Sequence, residues 1–200
     1  LIAKLDYIND GDPAGGADLG ANCIWLMPIA ESGSYHGYDV IDYYTVEQDY
    51  GTNDDFKRLM AEAEARGIRV IVDLVLNHTS SSHPWFLDAL NNPDSPYRDW
   101  YLWSPADPGY RGPWGQQVWH RSPVRDEYYY GIFVAEMPDL NYRNPAVIAE
   151  AEKIAAFWLN DMGVDGFRLD AIKHVVENGV EQEGTRETHA WMRGFDAAIE

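Results

Sequence analysis

The sequence predicts an α/β fold organised around a parallel sheet or barrel. Short apolar runs alternate with amphipathic helical stretches along the chain, which is the grammar of parallel βα units. The run 68–76, Ile-Arg-Val-Ile-Val-Asp-Leu-Val-Leu, is too apolar for a strand with one wet face and suits a parallel strand covered on both sides. The run 165–170 is a short strand ending on Asp170, with Arg168 two residues earlier, so strand alternation puts both side chains on one side.

The elements follow in order. Leu1 to Ile8 reads as a helix. Residues 22–28 (Asn22 to Pro28) read as a buried strand, short, apolar and closed by proline, with Cys23 expected as a small buried thiol. Residues 53–66 read as a helix. Thr52 and Asp55 fit a capping box, Phe56, Leu59, Met60 and Ala63 share one face, and Gly67 ends it. After the strand 68–76, some sixty residues between His78 and Asn144 are rich in Pro, Trp, Tyr, Asp and Ser. A connection that long is functional or a small domain of its own. Its tryptophans (Trp85, Trp100, Trp103, Trp114, Trp119) suit a local core, and their flat faces also suit stacking on sugar rings. Residues 145–162 form a helix in which Ile148, Ala151, Ile154, Ala155, Trp158, Leu159 and Met162 recur at helical spacing, ended by Gly163. A last helix over about 187–199 carries Trp191, Phe195 and Ile199 on one stripe.

Composition narrows the function classes. The 200 residues carry 33 acids against 15 bases, a net charge of -18. That disfavours nucleic acid and anionic membrane as partners, since both need a basic face. Cys23 is the one cysteine, so the chain makes no internal disulfide. No apolar stretch reaches about 18 residues, so no transmembrane helix is expected in this segment. The chain starts without Met inside a helical pattern, as a piece of a longer protein would.

Five short constellations could carry chemistry. Asp170 lies at the C-terminal end of a parallel strand, where barrel enzymes keep their reactive groups, and the Arg168 guanidinium beside it favours an ionised carboxylate able to act as a nucleophile. A structural Arg–Asp pair is the plainer alternative. Asp73 is a carboxylate inside an aliphatic strand, costly unless paired. Asn77 and His78 follow it at the strand end: Asn77 offers an oxygen to a hard cation such as Ca²⁺, and His78 a hydrogen bond to a ligand hydroxyl, although such residues also cap loops. His36-Gly37-Tyr38-Asp39 is a turn in which Gly37 lets backbone approach a ligand and Tyr38 can serve as a stacking platform. Met137-Pro-Asp139-Leu-Asn141 closes the long insertion with two oxygen-bearing side chains, and Lys173-His174 follows Asp170 in a loop expected to be solvated.

The order and spacing of these segments, together with Gly20-Ala-Asn-Cys-Ile-Trp-Leu-Met-Pro-Ile29, resemble the α-amylase family of glycoside hydrolases over essentially all 200 residues. The resemblance implies part of a (β/α)8 barrel, strands two to four, with a small domain inserted after strand three. Residues 1–78 and 141–200 would belong to the barrel and 79–140 to the insertion. It implies Asp170 as catalytic nucleophile and Arg168 as the residue that holds and charges it. Tyr38 and His78, with His36 of the same turn, would grip the sugar over a floor supported by Asp73. Lys173 and His174 would line a leaving-group subsite. Asn77, Asp139 and the main-chain carbonyl of His174 would hold a structural Ca²⁺. The His-Gly-Tyr turn and the Lys-His pair look more like α-amylases, and Met-Pro-Asp-Leu-Asn is similar to a group intermediate to the oligo-1,6-glucosidase and neopullulanase branch.

Retaining glycosidases need a second carboxyl group about 5–5.5 Å from the first as general acid/base. No apolar run ending in Gly-Glu follows Asp170. Glu177, Glu181, Glu183 and Glu187 lie in a polar loop or at a helix start, and Glu200 ends the last helix. A barrel of this kind takes ~250 residues. The chain is therefore expected to be about half of a retaining α-glucan hydrolase, inactive alone, from a protein that is monomeric and secreted or periplasmic, with the cytoplasm as alternative. An α-glucosidase, a transglycosylase or isomerase of the trehalose synthase type, and a non-catalytic relative are the competing functions.

Overall fold

A computed structural model describes residues 1–199; Glu200, expected to end the last helix, lies outside the described residues. In chain order the elements are α1 (Leu5–Ile8), β1 (Cys23–Leu26), β2 (Ala30–Ser32), β3 (Val40–Val46), α2 (Asn53–Glu64) and β4 (Arg69–Leu74). Then follow α3 (Pro84–Asn91), β5 (Trp103–Ser104), β6 (Trp119–Arg121), β7 (Tyr128–Tyr130), α4 (Pro145–Ala156), β8 (Gly166–Leu169) and α5 (Arg186–Ile199).

Three parallel strands, in the order β1-β4-β8, form the sheet that carries the site. Helix α2 connects the first pair and α4 precedes β8, the βα arrangement of part of a barrel. All three strands point the same way. The residues after Leu26, Leu74 and Leu169 therefore emerge at one end of the sheet. Register pairs Asp73 with Arg168 and Leu74 with Leu169, which sets a carboxylate beside a guanidinium on adjacent strands.

The helices α2, α4 and α5 form where expected, whereas the helix expected over Leu1 to Ile8 is a 3-10 turn, Ile2–Lys4, followed by the four-residue α1. Thr52 accepts from the Asp55 N–H and Asp55 answers at the Thr52 N–H, a complete capping box. Asn144 caps α4, with Pro145 at its first position. α2 buries Phe56, Leu59 and Ala63, and α4 buries Val147, Ala151, Ile154 and Ala155. Each large side chain so buried contributes roughly 1.5–3 kcal/mol. The helix expected to run unbroken to 162 ends at Ala156 and continues as a π-helical turn, Phe157–Asp161. Within that wider turn Trp158 is buried, donates its indole N–H to the Tyr43 carbonyl at 3.0 Å and meets Phe56 edge-on.

Two further sheets go beyond the sequence expectation. β2 and β3 form an antiparallel hairpin with register shifts, and its turn holds residues 33–39. β5, β7 and β6 form a small antiparallel sheet within the long insertion. Most aromatics of the insertion serve the core: Phe86, Trp100, Tyr101 and Tyr129 join the main hydrophobic cluster, while Val118, Trp119, Tyr130 and Ile132 form a smaller one.

Strand 22–28 departs from expectation. β1 alternates exposed and half-buried residues, and Cys23 is a free, exposed thiol rather than a buried one. Strand alternation puts Cys23, Trp25 and, just after the strand, Met27 on one face, which the described residues leave exposed. The loop after Asp170 departs too. In place of a solvated loop, His174 and Glu177 are buried, because residues 171–185 fold against the insertion through a Gln182 Nε2 bond to the Arg111 carbonyl at 3.1 Å. No described helix is long and apolar enough to cross a membrane.

Candidate active site

The site begins with one guanidinium nitrogen. Arg168 Nη1 donates to Asp170 Oδ1 at 2.6 Å and to both oxygens of Asp73 at 3.0 Å. Arg168 and Asp170 come from alternation along one strand, and Asp73 from the register of the next. The Asp170 N–H bonds the Leu74 carbonyl at 3.1 Å, fastening the strand end to its neighbour. Ala171, immediately after it, has φ 51° and is the one non-glycine with positive φ among the described residues. A left-handed alanine costs roughly 1–2 kcal/mol, and such strain clusters at functional turns. Here it turns the chain sharply away after Asp170.

Asp73 is fully buried and serves as the shared acceptor. Burial pushes its pKa up, while the bonds from Arg168 and from the Tyr38 hydroxyl, 2.9 Å away, work against that. Burial, followed by the Asp73 bond and charge, pushes the Tyr38 hydroxyl up to about 12. Tyr38 is thus a neutral donor at ordinary pH. Its turn is held by His36, whose Nδ1 accepts from the Tyr38 N–H at 3.1 Å and whose ring stacks on Tyr38. Gly37 sits at φ 77°, and a Cβ there would meet the Pro28 carbonyl oxygen at 2.8 Å, so the turn needs glycine.

His78 is buried, and burial lowers its pKa to about 4, leaving a neutral ring. Its Nε2–H donates to the Tyr38 carbonyl at 3.0 Å and its Nδ1 accepts from Asn77 at 3.3 Å. Both ring nitrogens are therefore engaged within the protein: the hydrogen bond expected for a ligand hydroxyl goes to the Tyr38 backbone, and His78 packs edge-on against Phe133. Lys173 pairs with Glu183 at 2.6 Å. His174 is buried, donates Nδ1–H to the Gln182 carbonyl at 2.7 Å, and lies edge-on to Trp114 and Phe133. Tyr38, Asp73, His78, Arg168 and Asp170 therefore form one connected group at one end of the sheet.

A second group lies behind it. Asn77 and Asp139 are buried neighbours, joined through the bridge between His78 and Asp139 and the Leu140 N–H bond to the Asn77 carbonyl at 2.9 Å. Glu177 packs against Asp139 carboxyl to carboxyl. Burial is the first cause that raises Asp139 to about 7 and Glu177 well above the usual carboxylate range; the Asp139 charge adds to the latter. Asn77 Oδ1, Asp139 Oδ2 and Glu177 Oε1 are all buried without a hydrogen-bond partner. Buried oxygens left unpaired in one place fit a hard cation. The donors are oxygens alone, and no three His, Cys, Asp or Glu side chains converge among the described residues. Glu177 is absent from the set that sequence reasoning assembles. Glu177 is followed by Asn178 and Gly179 in a stretch that reads as a polar loop, so no sequence signal marks it.

Comparison with known proteins gives a consistent result. A family model described as alpha amylase, catalytic domain, matches residues 1–196. Alpha-amylase 3 of Dictyoglomus thermophilum is 48% identical over 178 residues, covering 89% of this chain and 33% of its own. The trehalose synthase/amylase TreS of Mycolicibacterium smegmatis is 42% identical, covering 100% of this chain and 34% of its own. Among solved structures, an α-amylase from H. orenii superposes with a TM-score of 0.89 at 50% identity, over 100% of this chain and 40% of that one. The chain spans about a third of the length of the curated relatives it matches.

Proposed function

The chain belongs to the α-amylase family of glycoside hydrolases and transglycosylases, and from that premise we propose that it carries the nucleophile half of a retaining site for α-1,4-glucans such as starch and maltodextrins. Asp170 attacks the anomeric carbon and forms a glycosyl-enzyme ester, which water then cleaves. The observation that carries this is the Asp170 carboxylate held at 2.6 Å by Arg168 at the C-terminal end of a parallel strand. Arg168 orients that carboxylate and Asp73 anchors Arg168. Tyr38 lines the same space, positioned by His36 and His78. The second carboxylate of the mechanism is not assigned to any of the 200 residues, so residues 1–200 alone are expected to be inactive. Residues 1–78 and 141–200 are assigned to a (β/α)8 barrel and 79–140 to an inserted domain.

The test uses the complete gene product and a 2-fluoro glycosyl donor that accumulates the covalent intermediate. Labelling confined to the peptide with Asp170, and loss of turnover in Asp170→Asn with its fold intact, support the proposal. A label on another carboxylate overturns it.

Asn77, Asp139 and Glu177, with the His174 carbonyl, are assigned to a Ca²⁺ ion. Its three unpaired side-chain oxygens support this. These residues would hold the ion from the strand end at Asn77, the return of the insertion at Asp139 and the loop after Asp170, and its charge would compensate two buried carboxylates. Its role is structural. A trehalose synthase-type isomerase on the same site is the second reading, favoured by the TreS relative. Product analysis with maltose as sole substrate separates the two, since an isomerase yields trehalose and a hydrolase glucose.

A further inference from the structure

An exposed tryptophan held rigidly beside a candidate active site calls for an explanation. Trp114 is 60% exposed, yet its loop is tightly fastened. Gln116 Oε1 accepts from the Trp114 N–H at 2.9 Å, and Gln116 Nε2 donates to the Ile132 carbonyl at 2.7 Å. The Gly112 N–H bonds the Gln116 carbonyl at 2.9 Å, and Arg111 pairs with Gln117 across the loop. Gln182 ties Arg111 to the segment that follows Asp170. The fastened loop holds one side of the indole against Phe133 and His174 and leaves more than half of the residue in contact with solvent.

The indole is supported from behind. It stacks on Phe133 at 5.8 Å with 24° between planes, and His174 meets it edge-on at 5.5 Å. Lys173 Nζ lies 6.0 Å from its ring centre. Phe133 in turn touches His78, which bonds the Tyr38 backbone. A continuous aromatic path thus runs from Trp114 through Phe133 and His78 to Tyr38, whose hydroxyl bonds Asp73. Lys173 and His174 belong to the turn that leaves Asp170, so the indole lies beside the chain that emerges at the same end of the sheet as that carboxylate.

We propose that Trp114 is a stacking platform for the sugar ring bonded to the ring that Asp170 attacks, so that it sets the preference for substrates of two or more rings. This presupposes Asp170 as nucleophile. A pyranose presents a patch of C–H groups that matches a flat apolar ring, and an aromatic held in advance gives up little conformational freedom on binding. Gln116 acts as its positioning residue.

The experiment compares α-glucosyl fluoride, which has one ring, with maltotetraose, using the complete gene product. Trp114→Ala is expected to lower kcat/KM for maltotetraose about tenfold, mostly through KM, and to change α-glucosyl fluoride turnover less than about twofold. Trp114→Phe keeps a flat ring and is expected to retain most of the wild-type preference. Gln116→Ala, with Trp114 intact but unpinned, should fall between. An equal loss on both substrates in Trp114→Ala and Trp114→Phe overturns the platform in favour of a structural role; no loss on either overturns it outright. Loss of α-glucosyl fluoride turnover in Asp170→Asn checks the nucleophile independently: retained turnover there would sink the underlying assignment whatever Trp114 does.

Discussion

Arg168 Nη1 lies 2.6 Å from Asp170 Oδ1, and the same nitrogen reaches both oxygens of Asp73 at 3.0 Å. One donor thus ties a buried anchor to a carboxylate that stays partly open. Replacing Arg168 by Ala removes the orienting bond from Asp170 and leaves Asp73 buried with only Tyr38 as partner. In the complete gene product, turnover is expected to fall at least about a hundredfold. The melting temperature should also fall, because breaking a buried pair strands the remaining charge. Arg168 is 40% exposed, so the stability loss is expected at about 1–2 kcal/mol rather than the larger figure of a dry pair. Arg168→Lys keeps the charge but not the planar fork and should recover stability more than turnover. Steady-state kinetics with thermal melts of the same samples check this, and unchanged kcat in Arg168→Ala would refute it.

Asp139 and Glu177 make a second pairing with the opposite electrostatic sense. Two buried carboxyls beside the unpaired Asn77 oxygen repel as anions, so a divalent cation should stabilise the fold strongly. Adding Ca²⁺ to EGTA-treated protein is expected to raise the melting temperature, by RT ln(1 + [Ca²⁺]/Kd) in free energy, or about 2.7 kcal/mol at a hundredfold excess over Kd. Glu177→Gln and Asp139→Asn should each weaken the response by removing one charged ligand. A melting temperature indifferent to Ca²⁺ in the parent protein would remove the assignment.

Much of this arrangement is legible in the sequence, and its limits are physical. Arg168 and Asp170 share a side because alternation is local. Asp73 joins them once both runs are read as parallel neighbours, although the register that sets Asp73 against Arg168 is a tertiary fact. The Thr52–Asp55 box and the Asn144–Pro145 helix start are local chemistry and equally readable. Glu177 is not, since its burial depends on residues 171–185 folding onto the insertion. His78 reads from sequence as facing a ligand, and only the position of the Tyr38 backbone makes its Nε2–H an internal bond. Cys23 and Trp25 are apolar enough for a core, but burial depends on what lies across from them, which a strand's own composition does not encode.

Gly37 tests how tightly the Tyr38 turn is held. Its φ is 77°, and a Cβ added there would lie 2.8 Å from the Pro28 carbonyl oxygen, so Gly37→Ala must move backbone rather than a flexible side chain. The cost is expected to exceed about 1 kcal/mol. The displaced Tyr38 would lose its 2.9 Å bond to Asp73, so turnover should fall along with stability. Tyr38→Phe removes the same bond without backbone strain. It should leave stability within about 1.5 kcal/mol of the parent, and comparing the two variants in melts and kinetics separates strain from the loss of the hydroxyl.

His83 sets a stability limit on the acid side. It is buried, its ring lies 4.2 Å from that of Trp85, and its Nδ1 accepts from the Trp85 N–H at 3.1 Å as the cap of α3. Burial lowers its pKa from 6.5 to about 4. Between those values the unfolded chain binds a proton that the folded protein does not, so stability rises with pH across the window. The contribution is fully present above about 6.5 and is lost progressively as pH falls toward about 4. A shift of this size corresponds to on the order of 3 kcal/mol. His83→Asn keeps a side-chain acceptor at the cap but does not titrate. Melting temperatures of both proteins, measured from about pH 7.5 to about pH 4, should diverge at the neutral end and converge toward acid as the parent loses its His83 contribution. Curves that stay parallel would exclude His83 as the titrating group.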